Sequence, residues 1–408
     1  MINQVSCFRM QTFLTACGSS LLCLILGPMV AWGSTYYVST SGSDSNSGTS
    51  TSQPFRTIAK GVKPLRPGDT LYIRGGVWTE RIDLMTPNTN GTSGGYIKIA
   101  GYPGEQVTIR YKDTPGGYGA IKARGTRGYL IFENLILDGV NMPSNEMGWL
   151  IRDGNHHFIL RNLEIKNYKG TALGIIANDI QIINCKIHDN ISPINQAGYR
   201  HYGIYFNRGS NGLIQGNQIY RNDGGGVQVF PGPVSNLVIR NNAIYSNNTM
   251  TSSQIGGIIL QGTSSSSISS TKIYNNLVYK NGSASDAGPA SGIHIGDYAS
   301  GTKVLNNTVY GNRNYGVVVG SKASSTAIQN NITYGNGKNY YSYGSGTGFS
   351  NNITADPKFV STSSSNFQLQ SSSPAANKGV YLSSVPNDYR NFPRPKGSTH
   401  DIGGYENY

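Results

Sequence analysis

The chain has 408 residues, with 13% charged residues and a formal net charge of +13. So few charges exclude a coiled-coil or long-helix protein, and 53 glycines among many Asn, Ser and Thr mark a turn-rich, all-β chain. No Lys/Arg run and no aromatic RNA-reading motif accompanies the basic residues. That excludes nucleic acid as the partner and leaves two readings of the charge, plain solubility or a polyanionic glycan.

Residues 1–33 read as a secretory signal. Arg9 is its only charge, and an apolar run from Leu21 to Val30 ends in the small-x-small pattern Ala31-Trp32-Gly33. The run is shorter than the ~20 residues of a membrane span. Leu14-Thr15-Ala16-Cys17 has the form of a lipoprotein box, but the apolar run follows that cysteine instead of preceding it. The chain is therefore expected to be secreted, extracellular or periplasmic, and monomeric. Three of the four cysteines fall in the signal. Cys185 is left alone, without a disulfide partner, and is expected to be a small buried apolar residue.

Residues 34–70 form the next segment. Tyr36-Tyr37-Val38 reads as a short strand. Apolar residues at 55, 58, 59 and 62 have helical spacing, and Pro64 and Pro67 stop the helix. A short N-terminal helix here would cap the open end of a solenoid. From Leu71 to the C-terminal tail at 408 the chain reads as one repeat domain. Early strands are Tyr96–Ala100, Val107–Arg110, Tyr129–Phe132 and Phe158–Leu160. A column then appears: Asn134, Asn162, Asn184, Gly216, Asn241, Asn275, Asn306, Asn330 and Asn351, at steps of 28, 22, 32, 25, 34, 31, 24 and 21 residues. Asn and Gly are the residues that best tolerate a left-handed backbone, so the column predicts one tight corner per turn of a coil, with Asn side chains stacked along the axis.

A second series follows the first. Gly203-Ile204-Tyr205-Phe206, Gly226-Val227-Gln228-Val229, Gly257-Ile258-Ile259-Leu260, Gly292-Ile293-His294-Ile295 and Gly316-Val317-Val318-Val319 repeat one strand, with Gly174-Ile175-Ile176-Ala177 upstream. Strand side chains alternate faces. The first and third residues after each Gly are apolar and would point inward. The second (Ile176, Tyr205, Gln228, Ile259, His294, Val318) would point outward. By the same alternation His201, two residues before Gly203, would share the outer face. Extra residues before three of these strands (191–202, 246–256 and 281–291) would wall that face.

The opening Tyr36-Tyr37-Val38-Ser39, Pro54-Phe55-Arg56-Thr57-Ile58 and Pro67-Gly68-Asp69-Thr70-Leu71-Tyr72-Ile73-Arg74-Gly75-Gly76 is similar to the start of secreted proteins related to polysaccharide lyase family nine. The ending Pro393-Arg394-Pro395 and Asp401-Ile402-Gly403-Gly404-Tyr405-Glu406 is of the kind seen in secreted bacterial β-helix proteins. The resemblance implies a right-handed parallel β-helix of the pectate-lyase type. It also implies calcium on an aspartate cluster with a Lys base. The matching stretch, Asn222-Asp223-Gly224-Gly225-Gly226-Val227-Gln228, keeps one acid where a calcium ion would take 6–8 oxygens. No metal site and no cofactor are therefore predicted, with calcium kept as the alternative that the resemblance implies.

Elimination on a uronate polysaccharide needs a base at C5, a donor for the leaving oxygen and groups to neutralise the carboxylate. His201, Tyr205 and Arg208 are the catalytic candidates. Tyr199, Arg200, Tyr202, Gln228 and His294 are the substrate-binding candidates, with His294 about 10 Å from Gln228 along the stripe. The expected function is a lyase acting on acidic polysaccharide. The alternatives are a C5-epimerase, a glycoside hydrolase using a pair among Asp223, Asp286 and Asp297, and a non-catalytic glycan-binding solenoid. His156-His157 opens a strand and is expected to be structural.

Overall fold

The structure, a computed structural model, describes residues 33–84, 89–112, 119–123, 125–143, 147–191, 201–247, 256–282 and 290–407. Residues 1–32 of the signal segment lie outside them, and so do Tyr199, Arg200, Asp286 and most of the three inserted stretches. Short strands wind into three long sheets of twelve, eleven and ten strands, parallel throughout. The twelve-stranded sheet runs from Thr35–Val38 to Thr347–Ser350, and the ten-stranded sheet from Gly76–Trp78 to Ile332–Tyr334. Each strand pairs with its counterpart one turn earlier and one turn later, as in a right-handed parallel β-helix. Apolar side chains from all three sheets meet in one continuous core running from Val38 to Ile328.

The eleven-stranded sheet carries the second repeat series. Its main strands are β1 (Trp149–Ile151), β2 (Leu173–Ile176), β3 (Tyr202–Ser210), β4 (Gly225–Val229), β5 (Gly256–Leu260), β6 (Ser291–Ile295), β7 (Tyr315–Val319) and β8 (Lys338–Ser342). They pair in that order, and three two-residue strands branch from the end of β3.

The corners explain the asparagines. All nine positions of the Asn/Gly column are left-handed, with φ from 49° to 68°. Stacking falls mainly on the following residue, not on the column itself. The amides of Asn217, Asn242, Asn276, Asn307, Asn331 and Asn352 form a ladder, each Nδ2 donating to the next Oδ1 at 2.9–3.0 Å. Asn217 to Asn331 are buried, and their Nδ2 groups also satisfy core-strand carbonyls. Cys185 sits at the head of this ladder, donating its N–H to Asn217 Oδ1 at 2.8 Å. It is buried as expected, and burial pushes its thiol up to about 12.

A second ladder runs through Asn190, Asn222, Asn247, Asn281, Asn312 and Asn336 at 2.7–3.1 Å. Its left-handed residues are Asp189, Arg221, Ser246, Lys280, Gly311 and Gly335. Four of the six are neither Asn nor Gly, so this corner carries no simple mark in the sequence.

The leading column has a different use from Asn241 onward. Asn241 Nδ2 donates to the carbonyls of Asp388 and Tyr389, Asn275 to Asn387, Asn306 to Asp401 and Asn330 to Val380, at 2.6–3.0 Å. The paired asparagines therefore split the work: the first docks the C-terminal tail and the second builds the ladder. The tail is locked by Arg394, which pairs with Glu406 and donates to Gly403 O at 2.7 Å, all buried.

At the other end, one helical turn spans Ile58–Val62, with Ile58 and Val62 buried. A carboxylate oxygen of Asp44 accepts from the N–H groups of Arg56 and Thr57, and Glu80 accepts from those of Ile58 and Ala59. These acids and the Thr57 hydroxyl, which accepts from Lys60 N–H at 3.1 Å, satisfy the free donors of its first turn.

Candidate functional site

The repeated glycine is where the site geometry begins. A Cβ on Gly203, Gly226, Gly257, Gly292 or Gly316 would meet Ile219, Ile244, Val278, Val309 or Thr333 of the neighbouring sheet, and the Nδ2 groups of the second Asn ladder. None of the five has positive φ. They are glycines for want of space at a corner where two sheets approach. The Gly position therefore faces inward, and so does the residue after it: Ile204, Val227, Ile258, Ile293 and Val317 are all buried in the core.

That doublet shifts the alternation by one. The residue just before the Gly shares the outer face with the residue two after it. The outer face thus carries Tyr202, paired in register with Gly225. Further along, Gly256, Ser291, Tyr315 and Lys338 form the same column. Beside it runs Gly174, Tyr205, Gln228, Ile259, His294, Val318 and Tyr341.

Two expectations change. Gly174 does not align with Gly203 but pairs with Tyr205. Ile176 pairs with Arg208 across a β-bulge and leaves the stripe. His201 is not on the open face either: it is buried just before β3, with its carbonyl accepting from Gly224 N–H at 2.5 Å.

The structure brings together Tyr202, Tyr205 and Gln228. The two tyrosine rings stack at 5.6 Å with a 12° tilt, and Gln228 is the register partner of Tyr205. Asn207 Nδ2 lies 3.5 Å from Tyr205 Oη. His294 stands two strands beyond Gln228, as the stripe predicted. Arg208 is set apart. Its guanidinium is 56% exposed, past the bulge, and pairs with Asp153 at 3.7 Å beside a cleft of about 250 Å³ that also borders His156 and Asn178. His156 and His157 pack against Tyr129 at 5.3 and 4.5 Å.

Five buried polar atoms on this sheet or just before its strands have no hydrogen-bond partner among the described residues: Trp149 Nε1, His201 Nε2, Gln228 Oε1, Ser291 Oγ and His294 Nδ1. Burying such a group unpaired costs ~1–3 kcal/mol, so the His201, Gln228, Ser291 and His294 atoms are ones that a ligand or solvent would satisfy. Desolvation lowers the pKa of His201, against the opposing pull of Asp223. The same cause lowers His294 to about 4, against Asp297. Both imidazoles are therefore neutral at pH 7 and able to accept a proton. Burial raises the Tyr205 phenol, with Asn207 opposing, which keeps its proton in place for donation. Asn207 falls outside by the same alternation as Tyr205, whereas Ser291 carried no signal in the sequence until the one-residue slip at the glycine was known.

Among the described residues, no group of three or more His, Cys, Asp or Glu side chains is placed to hold a metal ion. Around Asp223 the chain offers glycines and Gln228, a donor set that does not match the oxygen-rich shell calcium takes.

These sheets define the class: the chain is a pectate-lyase-like right-handed parallel β-helix. A family model described as "Pel9A-like, right handed beta helix region" matches residues 36–200. The crystal structure of pectate lyase Pel9A superposes with a TM-score of 0.69 over 93% of this chain and 98% of that one, at 19% identity. A rhamnogalacturonan lyase gives 0.61 over 81% of this chain and 91% of its own, at 16% identity. At these identities the likeness is one of fold. Pectate lyase PEL9 of Emericella nidulans is 34% identical over 80 residues, which is 20% of this chain and 19% of that protein. The curated relatives are matched over only 29% and 19% of their length. The fold is thus that of polysaccharide-processing β-helix proteins. No helix of the described residues is long and apolar enough to cross a membrane.

Proposed function

We propose that this protein is an exported, monomeric lyase that cleaves a uronate-containing polysaccharide by β-elimination, with the sugar chain along the outer face of β3–β6 and the reacting residue at the start of β3, where His201 lies. The observation that carries the reading is the unpartnered, neutral His201 imidazole just before β3, the strand that carries the protonated Tyr205 phenol. In this scheme His201 Nε2 takes the proton from C5, the C4–O bond breaks as the C4–C5 double bond forms, and Tyr205 Oη gives its proton to the leaving oxygen. The carboxamides of Gln228 and Asn207 donate to the uronate carboxylate, which becomes more basic as C5 loses its proton. Tyr202 offers a ring face to the sugar, and His294 and Ser291 bind the next residues along the stripe. Arg208 is placed to meet a more distant carboxylate.

The test is the ultraviolet absorbance of unsaturated uronate products, with pectate, alginate and glycosaminoglycans as substrates, with and without EDTA. The reading expects signal on one substrate in both conditions. His201→Gln and Tyr205→Phe should each lower kcat by ~10²–10⁴-fold, the range of general acid–base catalysis. With His201 as base, kcat/KM should fall on the acid side below pH 6.5 and show no basic limb below pH ~10. Full activity in the His201→Gln variant would sink the assignment. A second reading, glycan binding without catalysis, is favoured by Ile259 and Val318, which are apolar on the same stripe and only 3% and 4% exposed. Retained binding with no product on any substrate would establish it.

A further inference from the structure

We infer that a second carbohydrate site, for a neutral oligosaccharide, lies at the N-terminal end of the twelve-stranded sheet, away from the sheet that carries His201. A cavity of about 540 Å³ opens there, lined by Ser39, Thr40, Ser41, Asn46, Thr51 and Ser52, with Arg74 and Glu105 in its wall. That volume is in the range of ligand pockets, ~300–1,000 Å³. Its polar groups are hydroxyls and an amide, the complement of a sugar's hydroxyls, and Ser41, Thr40, Thr51 and Ser52 are exposed.

A tyrosine cluster packs on Arg74, one of the residues lining it. Tyr37 and Tyr72 are register partners on the first two strands of the sheet, and Tyr102 follows the third. The three rings lie 5.7–6.2 Å apart, with Tyr37 and Tyr72 stacked. The Arg74 guanidinium sits 4.7 Å from the Tyr102 ring and lines the cavity as well, so ring cluster and hydroxyl array meet at one residue. Half-buried tyrosines in a group present apolar surface with a polar tip, the surface on which the C–H face of a sugar packs.

The charge state selects the ligand class. Arg74 Nε and Nη2 are both engaged by Glu105, at 2.5–2.9 Å, and Glu105 also accepts from Gly75 N–H at 2.5 Å. The one cation in the wall is therefore committed to an internal carboxylate. A uronate entering the cavity would find Glu105 in its wall and Arg74 already neutralised. A neutral sugar meets only donors and acceptors. This inference is independent of the lyase reading, since it concerns a different sheet and a ligand without carboxylates.

The experiment is calorimetric titration of the mature protein with cellohexaose, mannohexaose and galactohexaose, and with trigalacturonate for comparison. At least one neutral hexasaccharide should bind. Tyr102→Ala should weaken it at least tenfold, and His201→Ala should leave it unchanged. Thr51→Val, at an exposed position, should weaken it in a protein with an unaltered melting midpoint, which keeps the test valid if Tyr102→Ala folds poorly. Absence of binding by all three neutral sugars overturns the proposal. So does binding that persists unchanged in folded Tyr102→Ala and Thr51→Val, and so does competition by trigalacturonate at equal concentration.

Discussion

Gly292→Ala tests the account of the repeated glycine. The added methyl would lie 2.6 Å from Val309 Cγ1, 2.8 Å from Asn312 Nδ2 and 2.8 Å from Gly316 O. All three are closer than non-bonded atoms allow, and one is backbone, so the strand must shift. Overpacking of this kind costs ~1–3 kcal/mol. Moving Asn312 also strains its 2.9 Å bonds to Val278 O and Asn336 Oδ1 and the bond it accepts from Asn281. Leaving one such amide unsatisfied adds ~1–3 kcal/mol, for a total of about 2–6 kcal/mol. The assay is the urea midpoint by far-ultraviolet circular dichroism. The control is Gly94→Ala, where nothing lies within 4 Å of the new methyl and φ is not positive. That change should be neutral or slightly stabilising. Combining Gly292→Ala with Val309→Ala should cost less than the sum of the two, because one clash is relieved. Equal midpoints for Gly292→Ala and wild type would refute the spatial explanation.

Three further outcomes follow from the same structure. Asn276→Leu should lower stability by ~2–4 kcal/mol in the same assay, since it strands the Asn242 N–H and Nδ2 donors at 3.1 and 2.9 Å, whereas Asn351→Gly at the exposed end, which keeps the left-handed corner, should cost under ~1 kcal/mol. Arg394→Met should cost ~3–5 kcal/mol by leaving Glu406 buried without its partner, and the Arg394→Met/Glu406→Met double variant should recover much of it, read by thermal melting. His201, His294 and His400 have folded-state pKa values below the unfolded 6.5, the last two near 4, all led by desolvation. The unfolded chain then binds more protons between those values, so stability is full above pH 6.5 and falls as pH drops towards 4. His400→Gln should flatten that fall in a series of melts across this range.

The fold was legible because its determinants are local and repeated. A left-handed corner leaves Asn or Gly at a fixed place in each turn, and nine turns made the column visible against variable spacing. The second ladder escaped because its corners tolerate Asp, Arg, Ser and Lys at positive φ, the left-handed turn being held by the buried Asn that follows. What a residue type marks depends on whether the corner or the ladder enforces it. Asn241 and its successors mark both, and the use of their side chains to hold residues 387–401 depends on a tail far away in sequence.

The site was only half legible, for one physical reason. Strict alternation holds while each residue turns the backbone by half a revolution. At Gly203 and its equivalents two successive positions face inward, because a glycine with no side chain lets the chain bend into the space beside the Asn ladder. Everything after the glycine was assigned to its proper face, so Tyr205, Gln228 and His294 fall on one stripe. Everything before it was displaced by one. His201 became a buried residue with an unpartnered Nε2, while Tyr202 moved outward to stack on Tyr205. The bulge between Ile175 and Ile176 acts in the same way at the far end of β3 and carries Arg208 off towards Asp153. Slips of this kind leave no mark in a hydrophobic pattern, because the core positions on both sides remain apolar. They set which polar side chains meet a sugar, so in a β-helix the chemistry is less secure from sequence than the coil that carries it.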